Sequence, residues 1–595
     1  MRVTNDFPAA GYVSAYTIAT GNPYTDDVLR ECSKARGRQN EPAVAVNPRS
    51  TSVLLASSND YCGTYAGSPD TGPFVPSGPI WLGYYRSENS GASFVSSLVP
   101  GYPGDQSPYA ALAKVRTASA GDPVIAWDAH GRAFFGAESS GDPSGTVKTF
   151  GDVWVARFDN PAGEAGNPLN DGKRYRGASI VARGSSAPNL LGVFHDKTAI
   201  EADRTLGRCD ANVYFAWSRF NGNGANAVYF ARSTDHGATW SNPQKLTESV
   251  QSVQDPDIAV TGNGNVYVTY RTFAFVNGLE NTISVAKSTD CGATFSRPRE
   301  VVSFLNYAPR DVSDPEPIPI PAKYLDDPER ESDAGVEAGV SRDCGDFSNH
   351  CAAGYTFFRE DSSPRSTADQ YDADHEWVYI VYAATKPGTE VSSGTTYGSA
   401  GLGTGSQSAA YFIRLDGATG SVTEPALIDN QATGHQIFPD ISADGGVLHV
   451  VWWDSRLDPA YSPARPAGNT ASGVTVPSLN AWTARSTNAG TTWIAKTRVS
   501  TFTSNPNYEQ FDNRTVPFAG DYLWITSLGD FAYATWTDWR NTVPGTDPRE
   551  GTTDDADGAD VLQCRTFDST LNAWTSDTCP HAGGLDQDIY GSVAP

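Results

Sequence analysis

The chain has 595 residues, a formal net charge of −25 and a sequence pI near 4.6. Long-range repulsion from so acidic a surface disfavours general binding to nucleic acid or to anionic membranes. No apolar run approaches the roughly 18 residues that a membrane-spanning helix needs. Aromatic residues make up 11% of the chain, and 57 glycines and 39 prolines punctuate it, which favours short strands joined by many turns.

The N-terminal segment, 1–39, fits no repeated unit and is expected to be an arm or a closing strand. Its first residues, MRVTNDFPAAGYVSAY, contain no apolar signal-peptide core. Met1 is the only methionine, which suggests a start residue placed before a mature, secreted protein. Eight cysteines, an even number, favour an oxidising extracellular location, the alternative being eight reduced, buried thiols. The predicted disulfides are Cys32/Cys62, Cys209/Cys291, Cys344/Cys351 and Cys564/Cys579.

Seven units of three successive strands follow between residues 40 and 579. Each unit opens on an acidic residue, often next to a proline, and continues as an apolar or alternating strand. The openings read NEPAVAVN (40–47), GDPVIAWD (121–128), HDKTAIEAD (195–203), QDPDIAV (254–260), DPEPIPI (314–320), FPDISAD (438–444) and GDYLWIT (520–526). Repetition of this kind predicts an all-β fold, a seven-bladed β-propeller of four-stranded antiparallel blades in a single domain.

The fifth unit is irregular, so a six-bladed propeller is the alternative. Its first and second strands are separated by a long stretch that includes an acidic, cysteine-bearing insertion at about 322–370. The third strand of the last unit is predicted at DVLQCRT (560–566). Residues 580–595 fit no blade and are assigned to a C-terminal tail.

One short pattern occurs four times near the ends of these units. The copies are RSENSGASF (86–94), RSTDHGATW (232–240), KSTDCGATF (287–295) and RSTNAGTTW (485–493). The Asp or Asn can accept hydrogen bonds from the turn's own backbone, and the Gly supplies a positive φ. These turns resemble the Asp boxes of the sialidase-type β-propeller family, and the resemblance extends from about residue 40 to 575.

The resemblance implies a location and a chemistry for the site. The turns between third and fourth strands lie on the bottom face, so function is expected on the loops of the opposite, top face. Sialidases of this family hold the substrate carboxylate with three arginines, and use a tyrosine nucleophile with a glutamate partner and an aspartate acid/base. Their Phe/Tyr-Arg-Ile-Pro strand has no counterpart here, because the first inner strand reads NEPAVAVN.

Arginines just past the second strands are the candidates for binding a substrate carboxylate, whose geometry the guanidinium group matches. They are Arg219, Arg271, Arg456 and Arg540. Asp454 and Asp538 each precede an arginine by two residues, so repeated structural Arg–Asp pairs that tie neighbouring blades are the alternative. The loop SNPNYEQFDNRTVPFAGDY (504–522) adds Tyr508, Glu509, Asp512 and Arg514. In a sialidase-like reaction Tyr508 and Glu509 would form the nucleophile pair, with Asp454 or Asp538 as acid/base and Arg514 joining the substrate-binding arginines.

The acidic residues at the strand openings are predicted to surround the mouth of the central channel. They are Glu41, Asp122, Asp196, Asp255, Glu316, Asp440 and Asp521. Such residues either accept hydrogen bonds from turn N–H groups or form a cation site or an acid/base group. No cofactor is expected, apart from a structural calcium ion that DDADGAD (554–560), part of a calcium-loop pattern, leaves open.

These features together favour a secreted, sialidase-like glycoside hydrolase acting on a carbohydrate, with an acidic sugar bound by the top-face arginines. Two alternatives remain: a non-catalytic propeller that binds glycan or protein, and a polysaccharide lyase. Oligomeric state and substrate identity leave no signature in the sequence.

Overall fold

Seven antiparallel sheets form the blades of a ring around a central channel, which confirms the predicted seven-bladed β-propeller. The innermost strands of successive blades contact one another, and the first contacts the last. The computed structural model describes residues 1–4, 11–35, 39–60, 81–115, 120–139, 151–185, 192–221, 225–248, 253–273, 281–305, 307, 363–392, 404–463, 467–468, 470, 476–505, 520–541, 567–568, 573–574 and 587–595.

The first four blades each contain four strands that are consecutive in the chain. Blade 1 comprises β1 (Gln39–Asn47), β2 (Ser50–Asp60), β3 (Trp81–Ser87) and β4 (Val95–Leu98). Blade 2 comprises β5 (Gly121–Trp127), β6 (Ala133–Ser139), β7 (Asp152–Asp159) and β8 (Arg174–Ala182). Blade 3 comprises β9 (Val193–Ala202), β10 (Val213–Asn221), β11 (Asn226–Ser233) and β12 (Gln244–Lys245). Blade 4 comprises β13 (Val253–Val260), β14 (Val266–Thr272), β15 (Asn281–Ser288) and β16 (Arg299–Phe304).

Blades 5 and 7 depart from this regular order, whereas blade 6 keeps it. Blade 5 comprises β17 (Arg365–Thr367), β18 (Trp377–Thr385), β21 (Ser408–Asp416) and β22 (Ala426–Leu427), with a small hairpin of β19 (Val391–Ser392) and β20 (Thr404–Gly405). Blade 6 comprises β23 (Gln436–Asp444), β24 (Val447–Asp454), β25 (Asn480–Ser486) and β26 (Ile494–Arg498). Blade 7 comprises β27 (Trp524–Leu528), β28 (Phe531–Asp538) and β31 (Asp588–Ala594), and a separate hairpin pairs β29 (Phe567–Asp568) with β30 (Ala573–Trp574).

Two strand predictions are corrected by these pairings. The inner strand of blade 5 is β17, not the predicted 314–320, which lies outside the described residues together with Glu316. The third strand of blade 7 is β31, within the segment assigned to a C-terminal tail, and not the predicted 560–566. In blade 7 the partner of β28 comes from a distant part of the chain, where a local pattern carries no information about pairing.

The N-terminal residues complete blade 7 from the outside. The Val3 amide donates to the Ile589 carbonyl at 2.7 Å, and Arg2 bridges to Tyr590 in antiparallel fashion. Two helices follow, α1 (Ala15–Thr20) and α2 (Asp27–Ala35). Their apolar residues pack into the core of blades 1 and 2. The arm is therefore part of the closed ring.

Most of the core lies between neighbouring blades. Separate clusters of buried apolar residues join blades 2 and 3, 3 and 4, 4 and 5, 5 and 6, and 6 and 7. Fully buried tryptophans recur within these clusters, including Trp217, Trp452 and Trp536. Burial of such large rings between sheets is the main favourable term holding blades together.

The four repeated turns share one hydrogen-bond pattern. In each, a Ser hydroxyl accepts from the Gly amide at 2.8–3.0 Å. The Asp or Asn side chain accepts from the amide four residues later at 2.8–2.9 Å. The glycines adopt φ values of 73° to 81°, which only glycine adopts without strain.

One predicted disulfide is present among the described residues. Cys209 and Cys291 are bonded, joining the β9–β10 turn of blade 3 to a repeated turn of blade 4. Cys32 is also disulfide-bonded, but Cys62 and the Cys344/Cys351 and Cys564/Cys579 pairs lie outside the described residues. Within the part of the chain that the structure describes, no helix is long and apolar enough to cross a membrane.

Candidate functional site at the mouth of the central channel

A β-bulge interrupts five of the inner strands within their first five residues. At each bulge one residue has a φ of 49° to 56°, and the pairing register shifts. The residues with positive φ are Glu41, Asp122, Lys197, Asp255 and Phe438. Proline follows four of them, which suits a bulge because proline has no amide to contribute to the ladder. Bulges re-aim side chains and store backbone strain, which makes the position a candidate for function.

Lys197 lies at the centre of the charged residues that these bulges bring together. Its ammonium forms an ion pair with Asp521, whose side chain is only 7% exposed. Burial acts to lower the pKa of Lys197, but the carboxylates of Asp521, Asp196, Asp122 and Glu41 outweigh burial and hold it well above its usual range. Lys197 is therefore the permanent positive charge of the site.

Glu41 joins three blades through hydrogen bonds. One of its oxygens accepts from the Asn59 side-chain amide at 2.7 Å, and the other accepts from the Asp521 backbone amide at 3.0 Å. The Asn59 side-chain oxygen in turn accepts from the Asp122 backbone amide at 2.9 Å. This chain of bonds runs from blade 7 through blade 1 to blade 2, so the bulges are held in a fixed arrangement.

A small pocket lies between Lys197 and the neighbouring blades, and its volume is about 20 Å³. Asp122, Asp255, Arg365, Asp521 and Tyr522 line it as well. Asp255 is buried, and its Oδ2 has no hydrogen-bond partner. Burial raises the pKa of Asp255, an effect that Lys197 and Arg271 oppose and the Asp521 carboxylate reinforces. The pocket thus contains a carboxyl group whose pKa is raised, Asp255, and a carboxylate paired with an ammonium, Asp521.

In the inner strand of blade 5, Arg365 occupies the position that Asp257 has in blade 4 and Asp440 has in blade 6. Asp257 accepts from the Ser366 amide of the next blade at 2.6 Å, and Asp440 accepts from Ile525 at 2.7 Å. Burial raises the pKa of both carboxyls, and that of Asp440 reaches about 7 despite the opposing charge of Arg365. The Arg365 guanidinium also lies 4.9 Å from the ring centres of Tyr522 and Trp524.

Two of the predicted substrate-binding arginines are already paired within their own loops. Arg456 donates to both oxygens of Asp454 at 2.9 and 2.6 Å, and Arg540 binds Asp538 in the same way at 2.8 and 2.6 Å. Both aspartates are at most 1% exposed. Each also accepts from a tryptophan indole two residues earlier, Trp452 or Trp536. This Trp-x-Asp-x-Arg arrangement agrees with the structural alternative in the pairing itself, but each pair lies inside one blade and does not tie neighbouring blades.

Arg219 and Arg271 do not form such pairs. Arg271 is fully buried, donates to Asn281 at 3.2 Å and lies 4.0 Å from the Phe273 ring centre, while its charge acts on Asp255. The Arg219 guanidinium lies 5.0 Å from the Tyr229 ring. Among the described residues that line the pocket, none is a predicted substrate-binding arginine.

The remaining predicted site residues fall outside the described part of the chain. They are Tyr508, Glu509, Asp512 and Arg514, together with the 554–560 segment. Lys197 and Arg365 were missed by sequence reasoning. Lys197 lies at the position that the residue before proline occupies in the other bulged strands, and an alignment on that position finds it. Thr198 replaces the proline in HDKT, so Asp196 is the more obvious match to the acidic residues of the other strands.

Comparison with known proteins yields likeness of fold alone. No protein-family model and no curated protein matches the sequence. An α-L-arabinanase of Penicillium chrysogenum has 12% identity and a TM-score of 0.37, over 75% of this chain and 93% of its own. A leech intramolecular trans-sialidase has 10% identity and a TM-score of 0.38, over 72% of this chain and 67% of its own. An ulvan lyase of a polysaccharide lyase family has 12% identity and a TM-score of 0.33, over 68% of this chain and 77% of its own. Such weak likenesses, to enzymes of different chemistry, carry no argument about function.

Proposed function

We propose that this propeller is a glycoside hydrolase whose catalytic carboxyl groups are Asp255 and Asp521. The observation that carries the proposal is their contrast within one pocket. Burial raises the pKa of Asp255, whereas the Asp521 carboxylate forms an ion pair with the Lys197 ammonium. Two carboxyl groups whose environments differ in this way are the acid and the base or nucleophile that glycoside hydrolysis requires.

In this reaction Asp255 donates its proton to the glycosidic oxygen as the leaving sugar departs. Asp521 supplies the negative charge opposite, as nucleophile or as base for a water molecule. Lys197 positions Asp521 and keeps it anionic, and the bond from the Asp521 amide to Glu41 fixes its backbone. The aromatic side chain of Tyr522, which lines the pocket, offers a surface for a sugar ring.

The proposed substrate is a glycan. The paired arginines are no evidence that this glycan carries a negative charge. Arg456 and Arg540 already bind aspartates, so the acidic-sugar version of the proposal depends on residues such as Arg514 outside the described segments. The pocket itself contains more carboxyl groups than cations, which repels an anionic sugar.

Two further parts of the proposal concern family and location. We infer a diverged Asp-box propeller, supported by the four turns with one hydrogen-bond pattern. We infer an extracellular location, supported by the Cys209–Cys291 disulfide and by the bonded state of every described cysteine.

A product screen tests the reaction class. The full chain is incubated with neutral glycans, sialosides and uronate-containing polysaccharides in ¹⁸O-labelled water, and products are read by mass spectrometry. Hydrolysis predicts one labelled oxygen in the released sugar. An unsaturated uronate without label would contradict hydrolysis and support a lyase, and no product from any glycan would support a binding propeller.

A further inference from the structure

Three carboxyl groups from two adjacent blades converge beside the channel. Asp122 comes from the bulge of β5, Glu138 from β6 and Asp196 from β9. One oxygen of each lies within 4.8 Å of the other two. Asp122 is buried, while Glu138 and Asp196 are half-buried and leave the cluster a path to solvent.

Asp122 provides a second observation that points to a ligand. Its side chain is 8% exposed, and its Oδ2 makes no hydrogen bond. A buried carboxylate oxygen is normally satisfied, so an exception calls for a ligand or a proton. The φ of 49° at Asp122 shows that the bulge holds this residue in place at the expense of backbone strain.

The charges facing Asp122 are mostly negative. The carboxylates of Glu41, Glu138 and Asp196 act on it, and the Lys197 ammonium is the opposing charge among the main contributors. Lys197 is itself committed to an ion pair with Asp521. The cluster therefore has an excess of negative charge that a second cation would offset.

We propose that Asp122, Glu138 and Asp196 bind a hard divalent cation of the calcium, magnesium and manganese class. Three carboxylate oxygens with no nitrogen or sulfur donor are the ligand set that such cations prefer, and water completes their coordination. The ion links β5 and β6 of blade 2 to β9 of blade 3 and gives the Asp122 oxygen its missing partner. The proposal does not rest on the proposed hydrolysis, although Asp122 also lines that pocket, and the site is distinct from the calcium-loop pattern at 554–560.

Calorimetric titration tests the site directly. The full chain is stripped with chelator and titrated separately with CaCl₂ and MnCl₂, and melting is followed in parallel. We expect one ion per chain, with a Kd between about 10⁻⁶ and 10⁻³ M, and a rise in Tm at saturation. Asp122→Asn and Glu138→Gln should each weaken binding by at least about tenfold. Asp257→Asn, a buried channel carboxyl outside the cluster, is the matched control and should bind the ion like the wild type.

Two cluster variants are tested because Asp122→Asn changes a buried residue and can fail to fold. Glu138 is less buried, so Glu138→Gln keeps the test informative in that case. Folded wild-type protein that binds neither ion would overturn the proposal, as would unchanged binding in both cluster variants. Equal weakening in Asp257→Asn would also overturn it, because the effect would then be general electrostatics. An infrared band of a protonated carboxyl that disappears in Asp122→Asn, seen without any ion binding, would show that a proton takes the place of the cation.

Discussion

Lys197 and Asp521 are 324 residues apart in the sequence and form an ion pair within the central channel. Lys197 belongs to blade 3 and Asp521 precedes the inner strand of blade 7, so the pair joins blades that are not neighbours in the ring. Both side chains are at most 15% exposed. The channel is therefore closed by a specific electrostatic contact as well as by the packing of adjacent blades.

Removing the lysine should destabilise the fold. Lys197→Met leaves Asp521 buried without its counter-charge, and we expect the free energy of unfolding to fall by about 3–5 kcal/mol. The double variant Lys197→Met/Asp521→Asn should recover part of that loss. Denaturant unfolding of the wild type, both single variants and the double variant gives the coupling energy. Strictly additive losses would contradict a direct interaction.

Asp454 and Asp538 are expected to matter for stability rather than for chemistry. Asp454→Asn and Asp538→Asn each break a buried, two-bond pair with arginine, so we expect losses of about 3–5 kcal/mol. Activity per folded molecule should stay near the wild-type value. Thermal melting and active-site titration separate the two quantities. A variant with unchanged Tm and greatly reduced turnover would restore the predicted acid/base role.

Asp440 gives the stability a pH dependence of known sign. Its folded-state pKa of about 7 exceeds the ordinary value of 3.8 because of burial, so the folded chain holds this proton more tightly than the unfolded chain. The resulting stabilisation is complete below about pH 4 and is lost as the pH rises to about 7. Relative to wild type, Asp440→Asn should therefore gain about 2 kcal/mol between pH 5 and pH 8.

A second carboxyl serves as the control for this effect. Hydrogen bonds within its turn outweigh slight burial and lower the pKa of Asp290 to about 2, so Asp290→Asn should show no such trend between pH 5 and pH 8. Urea unfolding at both pH values measures the difference for each variant. Parallel behaviour of the two variants would show that Asp440 is ionised in the folded chain.

The Cys209–Cys291 disulfide encloses a segment with a sequence separation of 82. Closing a loop of that length restricts the unfolded chain, so Cys209→Ala/Cys291→Ala should lower the free energy of unfolding by about 4 kcal/mol. Unfolding under non-reducing conditions measures this without disturbing the bond of Cys32. An unchanged midpoint would mean that packing between blades 3 and 4 alone holds the two turns together.

The blades were predictable wherever the information was local. The repeated turns close on hydrogen bonds between residues four apart in the chain. The Gly292 amide donates to the Ser288 hydroxyl, and the Thr294 amide donates to the Asp290 carboxylate. Pairing of β31 with β28 brings together segments that are distant in the chain, so its register depends on tertiary contacts. The sequence pattern assigned other segments to the positions of β31 and β17.

The candidate site was predictable in part. An acidic residue followed by proline occurs at Glu41, Asp122 and Asp255, and each of these residues has a positive φ at a bulge. The sequence pattern therefore located these three bulges. The same reasoning missed Lys197, where threonine replaces proline. It also kept Arg456 and Arg540 as candidates for binding a ligand, although Asp454 and Asp538, each two residues before its arginine, indicated the alternative of a structural pair.

Asp255 as the proton donor is the central claim, and the leaving-group dependence of kcat/KM tests it most directly. Wild type, Asp255→Asn and the control Asp257→Asn are compared on a glycoside identified by the product screen and on its nitrophenyl analogue, which needs no protonation to depart. We expect Asp255→Asn to lose about 10²–10⁴-fold on the natural glycoside, much less on the nitrophenyl substrate, and Asp257→Asn to resemble wild type. Equal losses on both substrates, or full activity of Asp255→Asn, would contradict the account.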